Sequence, residues 1–73
     1  MDTQRLGKRI RAFRKLKGYT QVRLANSLEI PIITLGNVER GKQEATDQLL
    51  DAIAKKLNIS KRELTLNEEK EKQ

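Results

Sequence analysis

The chain has 73 residues, with sixteen Lys/Arg against ten Asp/Glu and a formal net charge of +6. It has no cysteine and no histidine, which excludes a disulfide framework and a thiolate metal site and removes the commonest general base and metal ligand. No long apolar run or signal-like start appears, so a soluble, cytoplasmic chain is expected. A chain of this length forms one domain, near the lower limit of what folds without staples. Its charge is lopsided: residues 1–28 hold eight Lys/Arg and one acid, net +7, while 29–73 hold eight and nine, net −1. A basic half suits a polyanion, or it is simply a solubilising surface.

The first predicted element runs from Met1 to Lys17. Leu6, Ile10, Phe13 and Leu16 recur at helical spacing, and Arg5, Lys8, Arg9, Arg11, Arg14, Lys15 and Lys17 cover much of the remainder. Gly18 ends this helix. Thr20 caps a second, reaching Leu28, with Val22, Leu24, Ala25 and Leu28 on one face. Ala25 is small enough to let a crossing helix approach closely. Glu29-Ile30-Pro31 then interrupts the pattern, because proline disfavours a helical conformation in the residue before it.

A third helix starts near Pro31, which suits a first helical turn, and runs to Arg40. Leu35 and Val38 turn inward; Ile32, Ile33, Gly36 and Asn37 face out. Gly41 is the C-cap glycine. Two short helices joined this tightly must cross steeply, which is helix-turn-helix geometry. Thr46 caps a fourth helix, with Asp47 at its positive end and Leu49, Leu50, Ile53, Ala54 and Leu57 on its apolar face, and Asn58 ends it. Ser60-Lys61-Arg62-Glu63 is a capping box opening a short fifth helix. Ile59 and Leu64 pack inward there, and Leu66 is a further candidate. Residues 1–66 thus form the domain, and 67–73 are a polar tail expected to fray. The sequence predicts no strand, repeat or linker.

Gln21, Ala25, Leu35, Val38 and the run Val38-Glu39-Arg40-Gly41-Lys42 resemble the phage repressor/Cro-type helix-turn-helix family. The resemblance extends from Leu6-Gly7-Lys8-Arg9-Ile10-Arg11 to Ser60-Lys61-Arg62-Glu63-Leu64, nearly the whole chain. It implies an all-α, compact five-helix bundle of the lambda-repressor type, with the motif formed by helices 2 and 3. It also implies sequence-specific binding of double-stranded DNA and regulation of transcription, repression rather than activation. In the family, residues matching Ile32, Ile33 and Asn37 read base edges in the major groove. Those matching Gln21, Thr34, Lys42 and Gln43 contact phosphate, and an arginine matching Arg14 pairs with the glutamate matching Glu39.

Several positions depart from the family pattern. Two isoleucines stand where polar side chains are usual; they can read thymine methyl groups, pack on helix 2, or meet a protein. Asn37 can contact adenine through two bonds or simply be solvated. Gln21 otherwise reads as an exposed helix starter. Glu29 replaces the turn glycine and implies strain at positive φ. Pro31 replaces a hydroxyl cap, and Gly36 costs roughly 1 kcal/mol inside the helix.

No metal cluster, nucleophile beside a base or phosphate-cradling glycine loop is present, so neither an enzyme nor a cofactor is expected. The alternative class is a protein–protein interaction module that kept the fold. Assembly is expected to be weak: a monomer or loose dimer in solution, with two copies cooperating on a two-fold operator through the helix 5 region around Leu64 and Leu66.

Overall fold

A computed structural model describes residues 2–65, which are helical and strand-free. The helices are α1 (Thr3–Leu16), α2 (Gln21–Leu28), α3 (Ile32–Glu39) and α4 (Asp47–Lys56). A fifth helix, α5, is described over 61–65. Leu66 and the expected tail lie outside the described residues.

Each start has a local cause. Asp2 caps α1, its Oδ1 accepting from the N–H groups of Gln4 and Arg5, so the helix begins at Thr3 rather than at Met1. Thr20 and Thr46 accept from the N–H of Arg23 and Leu49. Ser60 and Glu63 form the expected reciprocal box: Glu63 N–H donates to Ser60 Oγ at 2.9 Å and Ser60 N–H to Glu63 Oε1 at 3.0 Å. Pro31 is the extended N-cap of α3, not its first helical residue, and it provides no side-chain cap.

The ends of α1 to α4 share one device. Gly18, Glu29, Gly41 and Asn58 all take positive φ just after a helix. The next residue then donates back five positions: Tyr19 to Arg14, Ile30 to Ala25, Lys42 to Asn37 and Ile59 to Ala54. This is the Schellman closure, which satisfies the last carbonyls and turns the chain sharply. Tyr19, Ile30 and Ile59 then pack on the core, so three of the four turns are also hydrophobic anchors. Glu29 takes the left-handed conformation (φ 58°) without being a glycine, which is the strain expected there.

All five helices feed one core. It comprises Leu6 and Ile10 of α1, Leu24 and Ala25 of α2, Leu35 and Val38 of α3, Leu50, Ile53, Ala54 and Leu57 from α4 and its cap, and Leu64 of α5. Two expected core residues are corrected. Leu16 is 75% exposed because the buried stripe of α1 is Leu6, Gly7, Ile10 and Arg14. At about 100° per residue, Leu16 lies roughly 130° from the centre of that stripe. Val22 is likewise exposed, since Leu24, Ala25 and Leu28 define an inner face about 110° away.

The crossing of α1 over α3 fixes where α3 sits. Gly7 lies under it: a Cβ there would stand 2.4 Å from the Val38 carbonyl oxygen and 2.5 Å from that of Glu39. Gly41 permits a similar approach just after α3, where a Cβ would sit 2.6 Å from Gln4 Cα. Arg9 ties α1 to α5, its Nε and Nη2 donating to the Glu63 carbonyl at 3.0 and 2.8 Å while its guanidinium lies over Phe13. Lys61 pairs with Asp47 and Asp51 at the exposed edge between α5 and α4.

Candidate nucleic-acid interface

α3 has two chemically different sides. Leu35, Val38 and Glu39 are buried, while Ile32 and Ile33 are exposed and Thr34 and Asn37 are half-buried. Gly36, expected to face out, is buried instead. The Arg40 side chain lies across it, and a Cβ at Gly36 would be 3.1 Å from Arg40 Nη1. Arg40 Nη2 in turn donates to Asn37 Oδ1 at 2.8 Å, so the asparagine is oriented rather than loose.

Glu39 is the anchor on the inner side. Arg14 Nε donates to Glu39 Oε2 at 2.7 Å and Arg14 Nη2 to Oε1 at 3.1 Å, a two-pronged pair with both side chains buried. Arg14 Nη1 also donates to the Tyr19 carbonyl at 2.9 Å. Gln21 completes the group, its Nε2 donating to Glu39 Oε1 at 3.0 Å. One carboxylate therefore joins α1, α2 and α3. Among the described residues no buried side-chain polar atom lacks a partner, as a buried charge requires.

Outside this group lies a polar cleft. α1 contributes Gln4, Lys8, Arg11 and Arg14, α2 contributes Gln21, and the end of α3 with its loop contributes Glu39, Arg40 and Lys42. Five cations face a single carboxylate there, a net of four positive charges, and Glu39 is already paired with Arg14. Such a surface suits an anion with several charges along its length.

The structure brings Gln21 and Lys42 together in the cleft, beside the Arg14–Glu39 pair. Ile32, Ile33, Thr34 and Asn37 lie along α3 and do not line it. Gln43 falls elsewhere, in a hollow with Thr3, Gly7 and Glu44. Sequence reasoning missed Gln4, Lys8, Arg11 and Arg40 as members of the cleft. The signal was present for the first three, which recur at i, i+4 and i+7 and so share one stripe of α1.

A sequence model of the helix-turn-helix family matches residues 10–64. The chain belongs to the Cro-type helix-turn-helix family. It is 47% identical over 64 residues to the HTH-type transcriptional regulator YazB of Bacillus subtilis, covering 88% of this chain and 93% of that one. The restriction-modification controller protein C.AhdI of Aeromonas hydrophila superposes with a TM-score of 0.82 at 33% identity, covering 86% and 96% of the two chains. The biofilm master regulator SinR, solved in complex with DNA, superposes at 0.76 with 32% identity over 81% and 95%. DNA binding and regulation of transcription follow from this membership. No helix among the described residues is long and apolar enough to cross a membrane.

Proposed function

We propose that α3 enters the major groove of duplex DNA while the neighbouring cleft takes backbone phosphates, and that occupancy of the site represses transcription. The observation that carries this reading is the cationic cleft set directly against α3. In it Gln21, Lys42, Lys8, Arg11 and Arg40 are phosphate contacts, and Thr34 and Gln43, which lie outside the cleft, are further phosphate contacts of the same proposal. Ile32, Ile33 and Asn37 are the base contacts. Arg14 and Glu39 touch no DNA; they fix the angle at which α3 is presented. The protein works in the cytoplasm, associated with the nucleoid when bound.

Affinity for a labelled duplex measured across salt concentrations tests the reading. If Lys8, Arg11, Arg40 and Lys42 each neutralise one phosphate, log K falls against log salt with a slope of about −3.6 per bound copy. A slope near zero would favour a protein-binding face instead. A promoter–reporter assay, with and without the protein, tests repression: a rise in output would show activation.

Assembly belongs to the same proposal, with one correction. Leu64 is fully buried in the core, so it is not spare for pairing. Any contact between copies through the helix 5 region must use other side chains. A monomer or very weak dimer in free solution, with two copies pairing cooperatively on half-sites about 34–36 Å apart, is the expected behaviour. A tight dimer by sedimentation without DNA would overturn it.

A further inference from the structure

With α3 as the DNA-reading helix, as proposed above, its outer face limits which base edges it accepts. Ile32 and Ile33 are adjacent in the first turn and 45% and 67% exposed. The N-cap beside them is Pro31, which brings no hydroxyl or amide to the turn. Ile33, Asn37 and Arg40 then recur at i, i+4 and i+7, one stripe down the helix. Within that stripe Arg40 Nη2 donates to Asn37 Oδ1, with the guanidinium seated over Gly36. The bond engages the asparagine's acceptor, so Asn37 presents mainly its N–H donors.

An apolar surface followed by donors matches one base edge of the major groove. Thymine shows a 5-methyl group beside the O4 acceptor. Adenine and cytosine show amino donors, and guanine shows acceptors without a methyl. We infer that α3 selects thymine, with Ile32 and Ile33 packed on 5-methyl groups and Asn37, oriented by Arg40, donating to base acceptors. 5-Methylcytosine carries the same methyl group but sets it beside an amino donor, which the Asn37 donors disfavour.

The test is a duplex bearing a site selected from random DNA, with each thymine replaced singly by deoxyuridine. Uracil keeps every hydrogen bond and removes only the methyl group. Binding of the full chain is measured at one fixed salt concentration. At one or two thymines per half-site, affinity should fall about fourfold, the effect of one lost buried methyl group. In Ile32→Ala or Ile33→Ala, one of those losses should vanish, while the salt slope stays as in the parent.

The inference is overturned if every uracil is neutral, or if the selected site has no thymine, although the parent chain binds with steep salt dependence. The DNA-binding reading survives that result. Absence of any salt-dependent duplex binding defeats both. At a sensitive position, cytosine, 5-methylcytosine and thymine should bind in rising order. A preference for 5-methylcytosine over thymine refutes thymine as the target. The uracil and cytosine series need only the parent protein, so they decide the matter even if an isoleucine variant does not fold.

Discussion

Gly7→Ala is a one-carbon change with a large expected effect. The new Cβ would stand 2.4 and 2.5 Å from the Val38 and Glu39 carbonyl oxygens and 2.9 Å from the Glu39 carbonyl carbon. All three are backbone atoms, so no side chain can swing away. Ordinary contact needs about 3.4 Å, which forces α1 and α3 apart by ~1 Å in a close-packed interface. Overpacking of this kind costs typically 1–3 kcal/mol, and a backbone-on-backbone clash belongs at the top of that range. Alanine returns about 1 kcal/mol in helix propensity. The net loss is about 2 kcal/mol, which for a domain of this size lowers Tm by about 8–16 °C.

Gly18→Ala is the control. Gly18 has φ +81° with nothing within 4 Å, so alanine there meets strain without a clash, about 1–2 kcal/mol. Thermal unfolding by circular dichroism, with urea titration to check that m is unchanged, measures both. A Gly7→Ala protein as stable as the parent would refute the argument that the bare glycine sets the α1–α3 distance.

Arg14→Ala or Glu39→Ala should each destabilise the fold by about 1–4 kcal/mol, and the double variant by less than the sum; additive urea midpoints would show that the buried pair is uncoupled. Glu29→Gly should stabilise by up to ~1 kcal/mol, because the left-handed strain is relieved at a smaller entropic cost, and a lowered Tm would contradict this. Arg9→Ala removes two bonds to the Glu63 carbonyl, so amides of 61–65 should exchange with solvent several-fold faster while those of α2 and α3 change little. Gln21→Ala, Thr34→Ala and Lys42→Ala should weaken binding about equally for all DNA sequences, whereas Asn37→Ala and Ile33→Ala should change the selected site; the reverse pattern would invert the assigned roles.

The helices were legible in the sequence because their signals are local. Thr20, Thr46 and the Ser60–Glu63 box act within three residues, and Asn58 and Gly41 stop helices where they stand. The close approach at Gly7 was not legible, since its reason lies in backbone more than thirty residues away. Arg9 is the same case: its partner is the Glu63 carbonyl, 54 positions on. Leu16 was misplaced because a hydrophobic residue at spacing three was preferred to an arginine at spacing four. The structure puts Arg14 on the inner face, where Glu39 neutralises it, and leaves the leucine in water. Of the candidate site, the outward stretch of α3 could be read from spacing. Of the cleft only the Gln4, Lys8 and Arg11 stripe was readable, because the whole is assembled from three helices.

The division of α3 into two sides makes the protein re-addressable. Leu35, Val38 and Glu39, with Gly7 and Gly41 behind them, hold the helix in place and tolerate little change. Ile32, Ile33 and Asn37, the proposed base contacts, lie outside the buried core. On that proposal a duplicated copy can acquire a new target through a handful of substitutions that leave the core residues unchanged. An engineer can do the same by exchanging those three side chains as a set and leaving the scaffold as it is.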